Sequence, residues 1–192
     1  MALRKIVIHP DPVLRKVCKP VTTFDEDLVA LVRDMAETMY AAPGVGLAGP
    51  QVDVTKRLLV LDVREEGSDG PPCLRVFVNP EIIEKRGRIV WEEGCLSLPG
   101  MREEVPRAET IVVRAFDEKG EPFELEADGL LAIGIQHEND HLNGVLFFDH
   151  LSPLKRKYAL KRYFKSLERG EFPNKTQVLR GPAESGIRIG GR

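Results

Sequence analysis

The chain has 192 residues and a mass of 21.5 kDa, with 42% hydrophobic and 30% charged residues. That composition excludes disordered and fibrous classes, and the length suits one domain with a true core while being short for two. The formal net charge of −2 hides an asymmetry: residues 152–192 carry 11 Lys and Arg against 3 Asp and Glu, whereas the first 151 residues carry 17 against 27. The body is acidic and the C-terminal section basic. No apolar run approaches the roughly 18 residues of a membrane span, and the start, MALRKIVIHPDPVLRK, lacks the apolar core and cleavage site of a secretory signal. Cys18, Cys73 and Cys95 are scattered and odd in number, so they form no disulfide framework. Together these features predict a cytoplasmic, reduced protein.

In chain order, Asp25–Ala42 reads as a helix, with Leu28, Leu31, Val32, Met35, Met39 and Tyr40 at three- and four-residue spacing and Pro43-Gly44 as its stop. Short β-branched stretches follow at Leu58–Val63, Val76–Val78, Ile82–Ile83, Ile89–Trp91, Ile111–Phe116 and Pro122–Glu126. No βαβ alternation separates them, which favours antiparallel pairing. A second helix is expected from about Asp128 to Asn143, with Gly144 as C-cap; its apolar residues cover more than one face, as in a helix buried centrally. A third runs from Ser152-Pro153 to about Arg169. The expected fold is α+β: antiparallel sheets around a central helix, flanked by an N-terminal and a C-terminal helix. Residues 1–170 are expected to form a single catalytic domain and 171–192 a loose tail.

The strongest chemical signal is His137-Glu138-Asn139-Asp140-His141 on the central helix. Four residues apart, both imidazoles project from one face and can bind one ion, while Glu138 can reach a bound water without joining the coordination shell. Two His are half a site. The longer HExxHxxGxxH pattern fails, because Phe147 stands where the last His belongs. Two candidates remain for the third ligand. Glu168 sits on the charged last turn of the basic helix; Cys95, in Glu93-Gly94-Cys95-Leu96-Ser97, has the better setting, since a thiolate completes three ligands and leaves a fourth position for water. A small buried hydrophobe is the commoner fate of a single cysteine, and Cys18 and Cys73 are read that way. Gly44-Val45-Gly46-Leu47-Ala48-Gly49-Pro50-Gln51 is no phosphate loop, since it lacks the Lys-Ser/Thr ending and follows a helix. It reads as a tight helix-to-strand connection from which Gln51 could donate an amide N–H to a developing oxyanion.

These three segments, in this order, resemble the peptide deformylase family, whose patterns GxGLAxxQ, EGCLS and QHExDHLxG stand here at Gly44–Gln51, Glu93–Ser97 and Gln136–Gly144. One departure is Gly49, where the family usually has alanine, at an expected cost in rigidity. The resemblance implies hydrolysis of the N-formyl group from the formyl-methionine of new polypeptides, releasing formate. It implies Cys95, His137 and His141 as metal ligands and Glu138 as general base and acid. Gln51 and the Leu96 N–H would hold the carbonyl oxygen, and the Gly46 backbone would receive the peptide. Val45, Trp91, Leu130, Ile133 and Gly134 would line a methionine pocket, narrowed by the bulk of Trp91. The implied cofactor is one divalent ion, Fe²⁺ first, with Zn²⁺, Ni²⁺ or Co²⁺ as substitutes.

Arg102 and Arg107 follow the cysteine loop and could neutralise Glu93 or Asp140; His9 and His150 adjoin turn residues and read as surface or capping groups. The helix from Pro153 carries Lys155, Arg156, Lys157, Lys161, Arg162 and Lys165 before any acid. That is either a solvated face or a ribosome-docking surface; neither DNA nor membrane is implied. Two rival classes share the motif: a metallopeptidase, and a non-catalytic module closed around four ligands.

Overall fold

A computed structural model describes residues 2–42, 44–63 and 72–172. Helix α1 (Glu26–Ala41) begins where the Asp25 carboxylate accepts the Leu28 amide at 2.9 Å, with Glu26 and Asp27 at the positive end of the helix dipole. Its stripe of Leu28, Leu31, Val32, Met35 and Met39 is buried against Leu47, Leu58, Val60 and Val78. Each such side chain contributes about 1.5–3 kcal/mol by leaving water. The helix ends one residue before the expected boundary, and Pro43 lies outside the described residues.

The strands are β1 (Gly46–Ala48), β2 (Leu58–Leu61), β3 (Arg75–Arg86), β4 (Ile89–Cys95), β5 (Leu98–Arg107), β6 (Thr110–Phe116) and β7 (Pro122–Asp128). They form a five-stranded sheet of order β1-β2-β3-β6-β7 and a separate β4–β5 hairpin, with every strand pair antiparallel. With three helices this is the expected α+β class.

Three departures from the sequence reading have physical causes. The stretches at 76–78 and 82–83 are one strand, because Asn79 (φ 53°) and Pro80 sit at a bulge where the ladder shifts register. The Asn79 side chain pins that bulge by exchanging two 2.8 Å hydrogen bonds with the Val21 backbone. The second departure is β5, whose Pro, Gly and charges disguise it. Pro106 is tolerated because β5 pairs only with β4, while Leu98, Met101 and Val105 turn inward. The third is β1: Gly46–Ala48 is an edge strand rather than a bare connection.

Helix α2 (Gly129–Leu142) packs behind β1 and β2 and is buried from Ala132 to Glu138. Helix α3 (Pro153–Glu168), N-capped by Ser152, lays Ala159, Tyr163 and Leu167 against Met101, Val105, Phe147 and Phe148. Ion pairs Arg162–Glu103 and Lys155–Glu104 fasten it to β5. At the start of the expected loose segment, Phe172 packs on the same cluster, against Gly100. The rest of that expectation, residues 173–192, lies outside the described residues. No helix among the described residues is long and apolar enough to cross a membrane.

His9 is neither a cap nor a surface group. Its ring lies 5.4 to 5.9 Å from the rings of Phe148, Tyr163 and Phe164. Burial, with Arg15 adding to it, pushes its pKa down to about 4. Below the unfolded value of about 6.5 the unfolded chain therefore takes up a proton that the folded chain refuses. Stability from this group is unchanged above about pH 6.5 and falls as the pH drops from there to about 4. A His9→Gln variant is expected to lose that one-proton slope in urea-unfolding free energies measured across the window; an unaltered slope would contradict the assignment.

Candidate metal centre

Helix α2 carries His137, Glu138 and His141 into the interior, where all three are buried. Its rotation is fixed by Gln136, whose side chain donates to Ala108 O at 2.9 Å and Ala132 O at 3.0 Å and accepts from Ala108 N at 3.0 Å. The two imidazoles share one face, with ring centroids 5.1 Å apart.

Cys95 arrives at the end of β4. A register shift there pairs Gly94 with Arg102 but Cys95 with Leu98, which draws the thiol inward. Its Sγ lies 3.3 Å from His141 Nε2, and one ligand atom from each of Cys95, His137 and His141 lies within 4.8 Å of the others. An ion with metal–sulfur and metal–nitrogen distances of about 2.3 and 2.1 Å separates tetrahedral ligand atoms by about 3.5 Å. Donor chemistry and spacing both fit a divalent ion. One buried polar atom supports that fit, for Glu138 Oε2 beside this donor set has no hydrogen-bond partner among the described residues, a cost that buried carboxylates rarely carry. Glu168, the other candidate for third ligand, is exposed at the end of α3 and belongs to no such group among the described residues.

Glu93, expected only as a charge for an arginine to neutralise, has a second role that sequence reasoning missed. It is fully buried and accepts from His137 Nδ1 at 2.8 Å, which leaves Nε2 of that ring free to ligate an ion. The signal was present: in a strand, Glu93 and Cys95 are two apart and face the same way. Arg107 forks onto Glu93 at 2.6 and 2.9 Å and reaches Asp140 at 2.6 Å. Burial opposes ionisation of Glu93, but the hydrogen bonds from Arg107 and His137 outweigh it and hold the carboxyl below its ordinary range. Of the two arginines singled out, only Arg107 meets Glu93 and Asp140; Arg102 lies 3.9 Å from Glu92. His150 is exposed, as expected of a surface group, and also bonds to Asp140 at 2.6 Å.

Gln51 lies in a 3-10 turn, Gly49–Val52, with Oε1 accepting Ala48 N at 2.8 Å. Its Nε2 faces Cys95 Sγ at 3.5 Å and Ser97 Oγ at 3.3 Å, so the amide N–H points into the site. At Gly46 an added Cβ would stand 2.5 Å from Glu138 Oε1, which explains the glycine: the edge strand touches the carboxylate directly. At Gly49 a Cβ would meet Val54 O at 2.6 Å and Lys56 O at 2.8 Å. That glycine lets two carbonyls converge, a packing reason that replaces the expected cost in rigidity. Leu96 is buried in the turn after Cys95; Val45, Trp91 and Leu130 are half-buried; Ile133 and Gly134 are buried. Gly134 lies against β2, where a Cβ would be 3.0 Å from Leu61 Cδ2. Cys18 is buried, with burial pushing its thiol up to about 11, whereas Cys73 is exposed and so is not the core residue expected.

The sequence matches the polypeptide deformylase family profile over residues 3–157. The chain belongs to the peptide deformylase family. It is 55% identical over 157 residues to the peptide deformylase of Chromobacterium violaceum, covering 82% of this chain and 92% of that one. Among solved structures it resembles a peptide deformylase from Legionella pneumophila, with TM-score 0.80, 49% identity and coverage of 90% and 100% of the two chains. A peptide deformylase from Ehrlichia chaffeensis in complex with actinonin matches with TM-score 0.79 and 38% identity, over 86% of this chain and 98% of that one. Members of the family remove the formyl group from the N-terminal formyl-methionine of nascent polypeptides, so this chain is a hydrolase of that reaction. The peptidase and closed-module alternatives fall with that membership.

Proposed function

We propose that Cys95, His137 and His141 hold one divalent ion, natively Fe²⁺ with Zn²⁺, Ni²⁺ or Co²⁺ as substitutes. In this reading Glu138 is the proton carrier of deformylation, acting on nascent N-formylmethionyl peptides in the cytoplasm. The observation that carries it is a buried carboxylate with one partnerless oxygen beside a Cys/His/His donor set. When bound, the ion supplies Lewis-acid character, polarising the formyl carbonyl and making water acidic near neutrality. Everything else falls to the chain. Glu138 takes a proton from the attacking water and returns it to the departing amine. Burial pushes its carboxyl up to about 7, more than the nearby His137 pulls it down, which suits a group that must both take and give a proton near neutrality. Gln51 Nε2–H and the Leu96 N–H hold the carbonyl oxygen as it gains charge.

The peptide is received by the outer edge of β1. That edge and the outer edge of β4 are both unpaired within the described sheets, so an extended peptide can add as a strand beside Gly46 and Glu138. Val45, Trp91, Leu130, Ile133 and Gly134 would take the methionine side chain, an apolar set suited to a thioether. The test is formate release from a formyl-Met tripeptide by protein loaded anaerobically with Fe²⁺. Release abolished by chelation, and by actinonin, supports the reading; no release from protein holding one ion per chain overturns it. Activity that survives prolonged aerobic peroxide would replace iron by zinc, because ferrous iron beside a thiolate is oxidisable.

A ribosomal partner for α3 is part of the proposal. Lys157, Lys161 and Lys165 are exposed and make no ion pair among the described residues, and Leu154 and Tyr158 on the same helix are 64% and 55% exposed. Cosedimentation with ribosomes that weakens with salt is expected of such a surface; salt-insensitive or absent cosedimentation removes it.

A further inference from the structure

His150 ends the short 3-10 turn Phe147–His150, nine residues beyond the last imidazole of the metal centre. Its Nε2 and Arg107 Nη1 each lie 2.6 Å from Asp140 Oδ2 and 3.3 Å from one another. Arg107 has only donors to offer. Two nitrogens that close, converging on one carboxylate oxygen, are both donors to it, so the His150 ring carries its proton on Nε2. The result is one unbroken run: His150 to Asp140, Asp140 to Arg107, Arg107 to Glu93, Glu93 to His137 Nδ1, with links of 2.6 to 2.8 Å. Side-chain exposure rises outward along it, from 0% at Glu93 through 4% at Arg107 and 20% at Asp140 to 34% at His150.

A cavity of about 390 Å³, lined in part by Lys85, Arg88, Arg107, Asp140 and His150, opens onto this outer end. Water from that cavity competes for the Asp140 carboxylate once the imidazole donor is gone. Asp140 is then free to turn, and Arg107 Nη1 loses a fixed acceptor. The fork on Glu93 loosens, and with it the orientation of the His137 ring. We propose that His150 is a positioning residue for the metal centre, holding His137 in its ligating orientation through Asp140, Arg107 and Glu93. The inference rests on the reading above that His137 is a ligand.

The test compares cobalt-loaded wild-type protein with His150→Leu and His150→Gln, following ion release into excess chelator and the thiolate-to-cobalt absorption. Thermal unfolding of the metal-free proteins reports separately on folding. Groups that orient ligands cost about 10- to 100-fold in metal affinity when removed, and His150 stands further out, so His150→Leu is expected to release cobalt about tenfold faster. His150→Gln retains an N–H for Asp140 and is expected to stay within about twofold of wild type. Release from His150→Leu at the wild-type rate overturns the inference. So does equally fast release from both variants, since lost packing rather than a lost donor would then be responsible. Wild-type protein that takes up no cobalt overturns the ligand reading, and this inference with it.

Discussion

Glu138→Ala is expected to keep one divalent ion per chain while lowering kcat by about 10³-fold, within the 10²- to 10⁴-fold range that positioned proton transfer contributes. Metal should stay because the carboxylate is not one of the grouped ligand atoms, and Glu93 still fixes His137 from the other side. Turnover should go because Glu138 is the carboxylate wedged against the edge strand that would receive the peptide, with Oε2 buried and unpaired. Elemental analysis and formate release on the same sample check both halves. Glu138→Gln, nearly identical in shape but unable to take the proton, should behave the same way. An active Glu138→Ala enzyme would remove this residue from the mechanism, and a metal-free one would make it a ligand.

Arg107→Met should destabilise the metal-free protein by about 3–5 kcal/mol, the usual consequence of removing one partner from a buried ion pair. Arg107 is 4% exposed and Glu93 fully buried, so solvent cannot screen the charge left behind. The loss is not the worth of an attraction; it is the cost of a carboxylate stranded without its cation. Adding Glu93→Leu to Arg107→Met should therefore recover part of the stability, although His137 would lose its orienting acceptor. Urea unfolding of the single and double variants measures the coupling. A loss below about 1 kcal/mol for Arg107→Met would place this pair with ordinary surface salt bridges.

Both predictions depend on residues that the sequence exposed unequally. The HExxH pattern was legible because its geometry is local: helical repeat alone places His137 and His141 on one face. The three helices were legible for the same reason, and Asp25 and Ser152 cap the helices whose starts they marked. The strands fared less well. Val76–Val78 and Ile82–Ile83 looked separate because Pro80 reads as a breaker, yet a bulge stabilised from a distance by the Val21 backbone carries the strand through it. β5 was invisible because only half its residues face a core, and that core is completed by Phe147, Phe148 and α3.

His150 and Glu93 mark the same limit within the site. The sequence offers Arg107 as a neighbour for Glu93 or Asp140, but not His137 for Glu93 or Asp140 for His150. Asp140 lies ten positions from His150, and Arg107 and His137 lie 14 and 44 positions from Glu93.

The amino-acid sequence by itself determined the reaction class, since three motifs carry the family, and it singled out His137 and His141 as the helical pair and Glu138 beside them as the candidate proton carrier. Each of these is set by residue type and by spacing within one segment. Tertiary structure brought Cys95 and not Glu168 beside the two imidazoles, ordered the amide of Gln51, and assembled the run from the buried His137 out to His150 at the surface. Those outcomes rest on contacts between segments far apart in the chain, where the lowest free energy comes from satisfying buried charge and not from any local preference.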